Sequence, residues 1–321
     1  MPAVLAYLQE PERSTMRFER LAEDHPGVTV AHASTVDEAR PALSDTEVLI
    51  SIGPQLGDDA AELFHAAPKL AWVQSIGTGT DNLLGHPALR PDVAVCNVHG
   101  VHGPQLSEAA FAAMLSFARA IPQMLRQQQQ RHWQRTVPTL LAGKTVGIIG
   151  LGAIASELAP RCAAFGMRVI GISGTARDVP GFERVYARTQ LAEALAELDY
   201  VVVLTPLTPE THHLLGTRAF AAMKPGAVLI DLARGGVVDE AALLAALDGG
   251  RLAGAALDVF ETEPLPADNP LWSHPKVIVT PHNAGFHAGY PDQAYAAISA
   301  NMARYLAGGT AALANQVCAP C

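Results

Sequence analysis

Gly147-Ile148-Ile149-Gly150-Leu151-Gly152-Ala153-Ile154-Ala155 is the stretch that decides the fold. The apolar run 145–149 reads as a buried strand, broken at Gly150 by a glycine-spaced turn that opens an Ala-rich helical segment. The spacing G-x-G-x-x-A falls on Gly150, Gly152 and Ala155. Gly150 permits the tight turn, Gly152 lets the backbone approach a pyrophosphate, and Ala155 allows close packing of helix on strand. The phosphates would meet free N–H groups at the positive end of the helix. With a strand before it and a helix after it, the motif points to a bound dinucleotide and not to a turn that merely packs.

Further strands read outward from that point, at 168–172, 200–204, 227–230, 254–257 and 277–279. Six strands with crossover helices match a doubly wound Rossmann sheet. Earlier, the runs 4–8, 28–31, 48–52, 70–74 and 93–96 alternate with Ala- and Glu-rich helical stretches, which predicts a second parallel α/β sheet. A long amphipathic helix is expected over 107–130, and a last helix near 292–306. No sheet remains for that last helix to cover, so it is expected to return to the first domain. The fold class is therefore α/β, with two doubly wound parallel-sheet domains. Residues 1–100 and 287–321 form one, and the dinucleotide-binding domain 101–286 is inserted between them.

The 321 residues suffice for two ordinary domains; apolar content of 49% and charged content of 17% supply packed cores. A net charge of -9 argues against a nucleic-acid partner, because phosphate contacts need clustered Lys and Arg. No window is apolar enough to span a membrane, and the start of the chain reads as a strand without a basic leader. The four cysteines are few, which fits a reducing cytoplasm. Cys96 and Cys162 lie in apolar runs and read as core residues. Cys318 and Cys321 have ligand-like spacing but no second pair, so no metal site is expected.

Three later stretches carry chemistry. They are Asp231-Leu232-Ala233-Arg234-Gly235-Gly236, then Leu257-Asp258-Val259-Phe260-Glu261-Thr262-Glu263-Pro264, then Thr280-Pro281-His282. Each follows an apolar run, so Arg234, Glu263 and His282 are expected at strand C-termini, where open α/β sheets place their sites. A cation, a carboxylate and an imidazole suffice to hold a keto acid and protonate its carbonyl. Imidazole titrates near neutrality, and proton transfer by a positioned group is worth ~10²–10⁴-fold.

The second strand of a dinucleotide sheet commonly ends in an acidic residue that binds the ribose 2′-hydroxyl. Here that region reads Gly171-Ile172-Ser173-Gly174-Thr175-Ala176-Arg177, with no acid. Its absence removes a repulsive barrier to a 2′-phosphate. Ser173 and Thr175 can donate to such a phosphate, and Arg177 can pair with it. The expected cofactor is NAD(P), leaning to NADP.

These motifs, together with Ser75-Ile76-Gly77-Thr78-Gly79-Thr80-Asp81 and Leu204-Thr205-Pro206-Leu207-Thr208-Pro209-Glu210-Thr211, resemble the D-isomer-specific 2-hydroxyacid dehydrogenases almost end to end. The glyoxylate/hydroxypyruvate reductase branch looks nearest, because members of it also lack the acid after the second strand. The absence of an extension past Cys321 points away from the long phosphoglycerate dehydrogenases. The resemblance implies a flavodoxin-like substrate domain and reduction of a small 2-keto acid in a cleft that closes over it. His282 would be the general acid, and Glu263 would fix its tautomer and raise its pKa. Arg234 would bind the substrate carboxylate, shared with backbone N–H groups of Gly77, Thr78 and Gly79. Asp258 would accept from the nicotinamide carboxamide. Gly150, Gly152, Ala153, Ile154, Ser173, Arg177, Thr205, Pro206 and Ala233 complete the cofactor set.

Asp231 stands where relatives commonly carry Asn. His99, His102 and Gln105 fall near the expected domain crossing and have hinge or cleft-lining roles open to them, and Trp133 could close a pocket or simply pack. A homodimer is expected through the region of 107–130, where the family usually pairs. Two competing readings are a dehydrogenase of another small anion, such as formate or phosphite, and a dinucleotide-sensing binding protein resembling the C-terminal-binding corepressors. The complete trio argues against the second.

Overall fold

The computed structural model describes residues 2–9, 15–80 and 83–318, apart from the side chains of Pro54, Gln55 and Cys318. Asp81 and Cys321, both singled out in the sequence, lie outside the described residues. The chain divides into two compact units, Met1–Val101 with His287–Cys321, and His102–Phe286.

The first unit holds a six-stranded sheet. Its strands are β1 (Ala3–Tyr7), β2 (Thr29–Ala33), β3 (Thr46–Ser51), β4 (Trp72–Ser75), β5 (Ala94–Cys96) and, from the far end of the chain, β13 (Gln316–Cys318). The order is β13-β5-β4-β3-β1-β2. Its parallel part therefore runs 2-1-3-4-5, the flavodoxin-like plan. The antiparallel β13 on the β5 edge is not legible as an apolar run, since it has three residues. Helix Tyr290–Gly308 covers one face of this sheet. It buries Tyr290, Ala294, Ile298 and Met302 in the same cluster as Val4, Val48 and Trp72. Burial of such side chains is worth roughly 1.5–3 kcal/mol each. Polar anchors fix its register: Tyr290 OH donates to the Ile76 carbonyl, and Asn301 Nδ2 donates to Gln74 Oε1 at 3.2 Å.

The second unit holds seven parallel strands where the sequence pattern predicts six. They are β6 (Thr145–Ile149), β7 (Arg168–Ser173), β8 (Arg184–Ala187), β9 (Tyr200–Val203), β10 (Ala227–Asp231), β11 (Leu252–Leu257) and β12 (Val277–Val279). The order is β12-β11-β10-β9-β6-β7-β8. The unforeseen strand is β8, an edge strand of sequence Arg-Val-Tyr-Ala with only Tyr186 buried. An edge strand wets one side, so it carries no continuous apolar run. The central strands β6, β9 and β10 are buried at every residue.

The expected helix over 107–130 is two helices, Gly103–Ala118 and Ile121–Gln129. Ala120 lies between them in the left-handed region at φ 57°. Pro122, in the first turn of the second helix, has no N–H to give the helix before it. The first helix buries its apolar face among residues of helix Ala153–Ala164, including Leu158, Ala159 and Cys162. The second has no buried residue. Cys96 and Cys162 are buried free thiols, and burial pushes each up to about 12, so both are inert core residues.

Candidate active site

Register places the site. Ile149 pairs with Ile172 and Val203, Val203 with Asp231, Asp231 with Leu257, and Leu257 with Val279. On the far side, Ser173 pairs with Ala187. One row thus crosses the whole second sheet at its C-terminal edge. Gly150, Leu204, Asp258 and Thr280 are each the residue immediately after their strands. Arg234 and His282 each follow three residues past a strand end, and Glu263 sits six past Leu257.

At the β6 end, Gly150 turns at φ 97°, a conformation that L side chains resist. A Cβ there would also meet the Leu204 and Thr205 backbone at 2.7 Å. Gly152 caps helix Ala153–Ala164, and Ala153 and Ile154 form the first turn. A Cβ at Gly152 would meet nothing within 4 Å. Open space before bare helical N–H groups is what a pyrophosphate needs, so these residues fit a dinucleotide. A cleft of about 340 Å³ opens beside them, lined by Gly150, Gly152, Ser173, Arg177, Arg188 and Thr205, among others. Pro206 shares its wall. The Ser173 hydroxyl donates to the Thr175 carbonyl at 2.6 Å, which folds the β7 loop back on itself. Arg188 was not singled out in the sequence; it follows β8, the strand that the pattern did not show.

At the other end of the row, His282 Nδ1 stands 2.6 Å from Glu263 Oε2. The imidazole is 38% exposed and the carboxylate 31%, so the pair is reachable from solvent. Its other nitrogen, Nε2, meets no hydrogen-bond partner among the described residues. Burial pushes the Glu263 carboxyl up. The His282 hydrogen bond and charge, the Phe260 N–H and the Arg234 charge outweigh burial and hold it below the ordinary glutamate value. A carboxylate kept ionised beside Nδ1 fixes the proton there and directs Nε2 outward. Glu263 Oε1 accepts from the Phe260 N–H at 2.9 Å, so the carboxylate is itself anchored.

Arg234 is half-buried, and its Nη1 donates to the Ala233 carbonyl at 2.6 Å. Its loop owes its position to Gly235, where a Cβ would strike the Phe260 carbonyl carbon at 1.9 Å. Asp258 is buried, and three donors take its carboxylate: Thr280 Oγ1 at 2.6 Å and the N–H groups of Asn283 and Ala284, each at 3.0 Å. A carboxylate has about four lone-pair sites, so one remains for the expected carboxamide. Asp231 is fully buried, accepts from the Ala233 N–H at 3.0 Å, and has one oxygen without a partner. Burial drives its carboxyl well above the usual aspartate range, and Asp258 and Glu263 add to the rise against the Ala233 N–H and Arg234.

The remaining candidates are placed as follows. In the first unit, the Thr78 hydroxyl donates to the Val98 carbonyl at 3.1 Å, and the Gly77 N–H donates to Ser75 Oγ at 3.3 Å. The N–H groups of Thr78 and Gly79 meet no acceptor among the described residues. Gln105 Nε2 donates to the Gly285 carbonyl at 3.4 Å and lies 3.5 Å from His102 Nδ1. Trp133 is 94% exposed. No cluster of three metal-ligating side chains occurs among the described residues.

A seven-stranded Rossmann sheet with a glycine cleft at one end of its strand-end row and a carboxylate–imidazole pair at the other defines a dinucleotide-dependent oxidoreductase. The family model described as D-isomer specific 2-hydroxyacid dehydrogenase, NAD binding domain, matches residues 111–284. The chain belongs to that family. A glyoxylate reductase from Korarchaeum cryptofilum is 35% identical over 261 residues, 77% of this chain and 78% of the relative. D-3-phosphoglycerate dehydrogenase from Bacillus subtilis is 43% identical over 223 residues, 69% of this chain. The match spans only 42% of that relative's length. Among solved structures, a family protein from Aeromonas salmonicida superposes with a TM-score of 0.87 at 36% identity, covering 98% of both chains. The NADPH-dependent glyoxylate/hydroxypyruvate reductase from Sinorhizobium meliloti, in complex with NADP and sulfate, superposes at 0.85 with 30% identity, over 99% of this chain and 98% of that one.

Proposed function

We propose that this protein reduces a small 2-keto acid of the glyoxylate or hydroxypyruvate type to the D-2-hydroxy acid, with NADPH preferred. One observation carries the reading: the 2.6 Å contact between His282 Nδ1 and Glu263, which leaves Nε2 to face a substrate. NAD(P)H, when bound, supplies the hydride. His282 donates the proton to the carbonyl oxygen and takes it back in the oxidative direction, and Glu263 holds the ring and balances its charge. Arg234 binds the substrate carboxylate by a charge-assisted bond worth roughly 1.5–3 kcal/mol, and backbone N–H groups of Gly77, Thr78 and Gly79 are proposed as further donors to it. The missing acid after β7 supports NADPH, and the names of the glyoxylate reductase relatives support the substrate class.

The test is a panel of about twenty 2-keto acids with NADH and NADPH, plus 3-phosphoglycerate with the oxidised cofactors. Glyoxylate or hydroxypyruvate with NADPH should give the highest kcat/KM. His282→Ala should lower kcat at least ~10²-fold while leaving cofactor binding near intact. Retention of most activity in that variant would overturn the mechanism, and a tenfold advantage for NADH would overturn the cofactor assignment.

We further propose that the protein acts in the cytoplasm as a homodimer. No helix among the described residues is long and apolar enough to cross a membrane. Leu125, Trp133, Val137 and Leu140 are 53%, 94%, 95% and 66% exposed, a run of apolar side chains that a second copy would cover. Light scattering should give twice the chain mass. A monomer at micromolar concentration would reject the dimer.

A further inference from the structure

The β8 edge carries a residue with no assigned role. Arg188 follows Ala187 directly, and Ala187 is the register partner of Ser173 on the neighbouring strand. Adjacent parallel strands lie about 4.8 Å apart, so Arg188 emerges beside the Ser173-Gly174 turn at the same end of the sheet. That turn is where the ribose of a bound dinucleotide is read in such sheets. Arg188 and Arg177 both line the cleft that Gly150 and Gly152 open.

The arginines of this unit differ in how their charges are met. Arg161 reaches Glu157 at 2.6 Å, Arg168 reaches Glu183 at 2.7 Å, and Arg184 reaches Glu193 at 3.4 Å. The guanidinium groups of Arg177 and Arg188 make no hydrogen bond or ion pair with any described residue. Arg177 is exposed and water can serve it, whereas Arg188 is half-buried against the cleft wall. Its five N–H donors lie beside the cleft and remain available to an anionic ligand there. Glu210 feels the Arg188 charge without pairing with it, its carboxylate being engaged by the Thr208 hydroxyl at 2.7 Å.

We propose that Arg188 is the main cofactor-specificity residue, a fork that binds the ribose 2′-phosphate from the third strand of the Rossmann sheet while Arg177 contributes from the exposed outer side of the β7 loop. The inference rests on the reading that the protein takes the 2′-phosphorylated dinucleotide. A planar guanidinium matches two phosphate oxygens at once, and the Ser173 hydroxyl, having given its proton to Thr175, leaves the donation to the arginines.

Binding to the full chain tests this without turnover. The affinities of 2′,5′-ADP and 5′-ADP are measured by calorimetry for the wild type, Arg188→Gln, Arg177→Gln and the double variant. The wild type should prefer 2′,5′-ADP at least tenfold. Arg188→Gln should lose most of that preference while holding 5′-ADP within about twofold, which also shows that the pocket is intact. Arg177→Gln should lose less. A wild type without preference would overturn the NADPH reading and this inference together. A preference that survives Arg188→Gln but not Arg177→Gln would overturn the role of Arg188 alone. Equal weakening of both nucleotides by Arg188→Gln would make it an adenine or packing contact and reject the proposal as well.

Discussion

The backbone N–H of His282 donates to the Asp258 carbonyl at 2.8 Å, while the Asp258 carboxylate binds the residues on either side of that histidine. His282 needs such a hold. It sits at φ 49°, in the left-handed region where a non-glycine residue is strained, and strain of order 1–3 kcal/mol persists only where surroundings enforce it. Thr280, Asn283 and Ala284 are fixed through one buried carboxylate, and His282 is left no other path between them.

Asp258→Asn tests this hold. One carboxylate oxygen becomes an NH₂ group that faces N–H donors, so at least one bond to the 280–284 loop is lost and a buried donor goes unmet, at a cost of roughly 1–3 kcal/mol. The expected signature is a fall in kcat of tenfold or more, with the loop around His282 gaining amide hydrogen exchange. If kcat holds and only the nicotinamide affinity drops, Asp258 is a cofactor contact and not the clamp of the loop.

Gly235→Ala should be among the most damaging single-methyl changes in the chain. Its Cβ would overlap the Phe260 carbonyl carbon at 1.9 Å and the Glu261 nitrogen at 2.5 Å, and backbone cannot swing aside as a side chain can. The Arg234 loop and the segment leading to Glu263 would be forced apart. Overpacking commonly costs about 1–3 kcal/mol, and contact with backbone places this case at or above the top of that range. Thermal unfolding and kcat/KM should fall together; an unshifted midpoint would refute the close packing of these two loops.

The ends of the second sheet were legible because parallel strands covered on both faces read as continuous apolar runs that stop abruptly, and Asp231, Asp258 and Thr280 mark three such stops, after a fully buried β10, a largely buried β11 and a half-buried β12. Which of the following side chains meet was less visible. Glu263 and His282 are 19 residues apart, and only the register of Leu257 on Val279 brings their loops side by side. Arg188 escaped notice because its strand, Arg184–Ala187, is half-wet and patternless. The break at Ala120 escaped because alanine favours helices, and only the geometry shows it turning left-handed before Pro122. The strain at His282 has no sequence signal at all, since histidine is an ordinary choice in most backbone conformations.

Asp231 makes stability depend on pH in a predictable direction. Burial pushes its folded carboxyl well above the ordinary aspartate value of 3.8, and Asp258 and Glu263 add to the rise. The folded state therefore binds more protons above that value. A group raised in the folded state stabilises fully below its unfolded pKa, and that contribution is lost as pH rises toward the folded one. The loss is about 1.4 kcal/mol per pH unit over that window. Asp231→Asn keeps the oxygen that accepts from the Ala233 N–H and removes the titration. The variant and the wild type should have similar melting temperatures near pH 4, with the variant gaining progressively toward pH 7. Parallel curves across that range would mean that the buried carboxyl is ionised in the fold, and that Arg234 compensates it more strongly than burial opposes it.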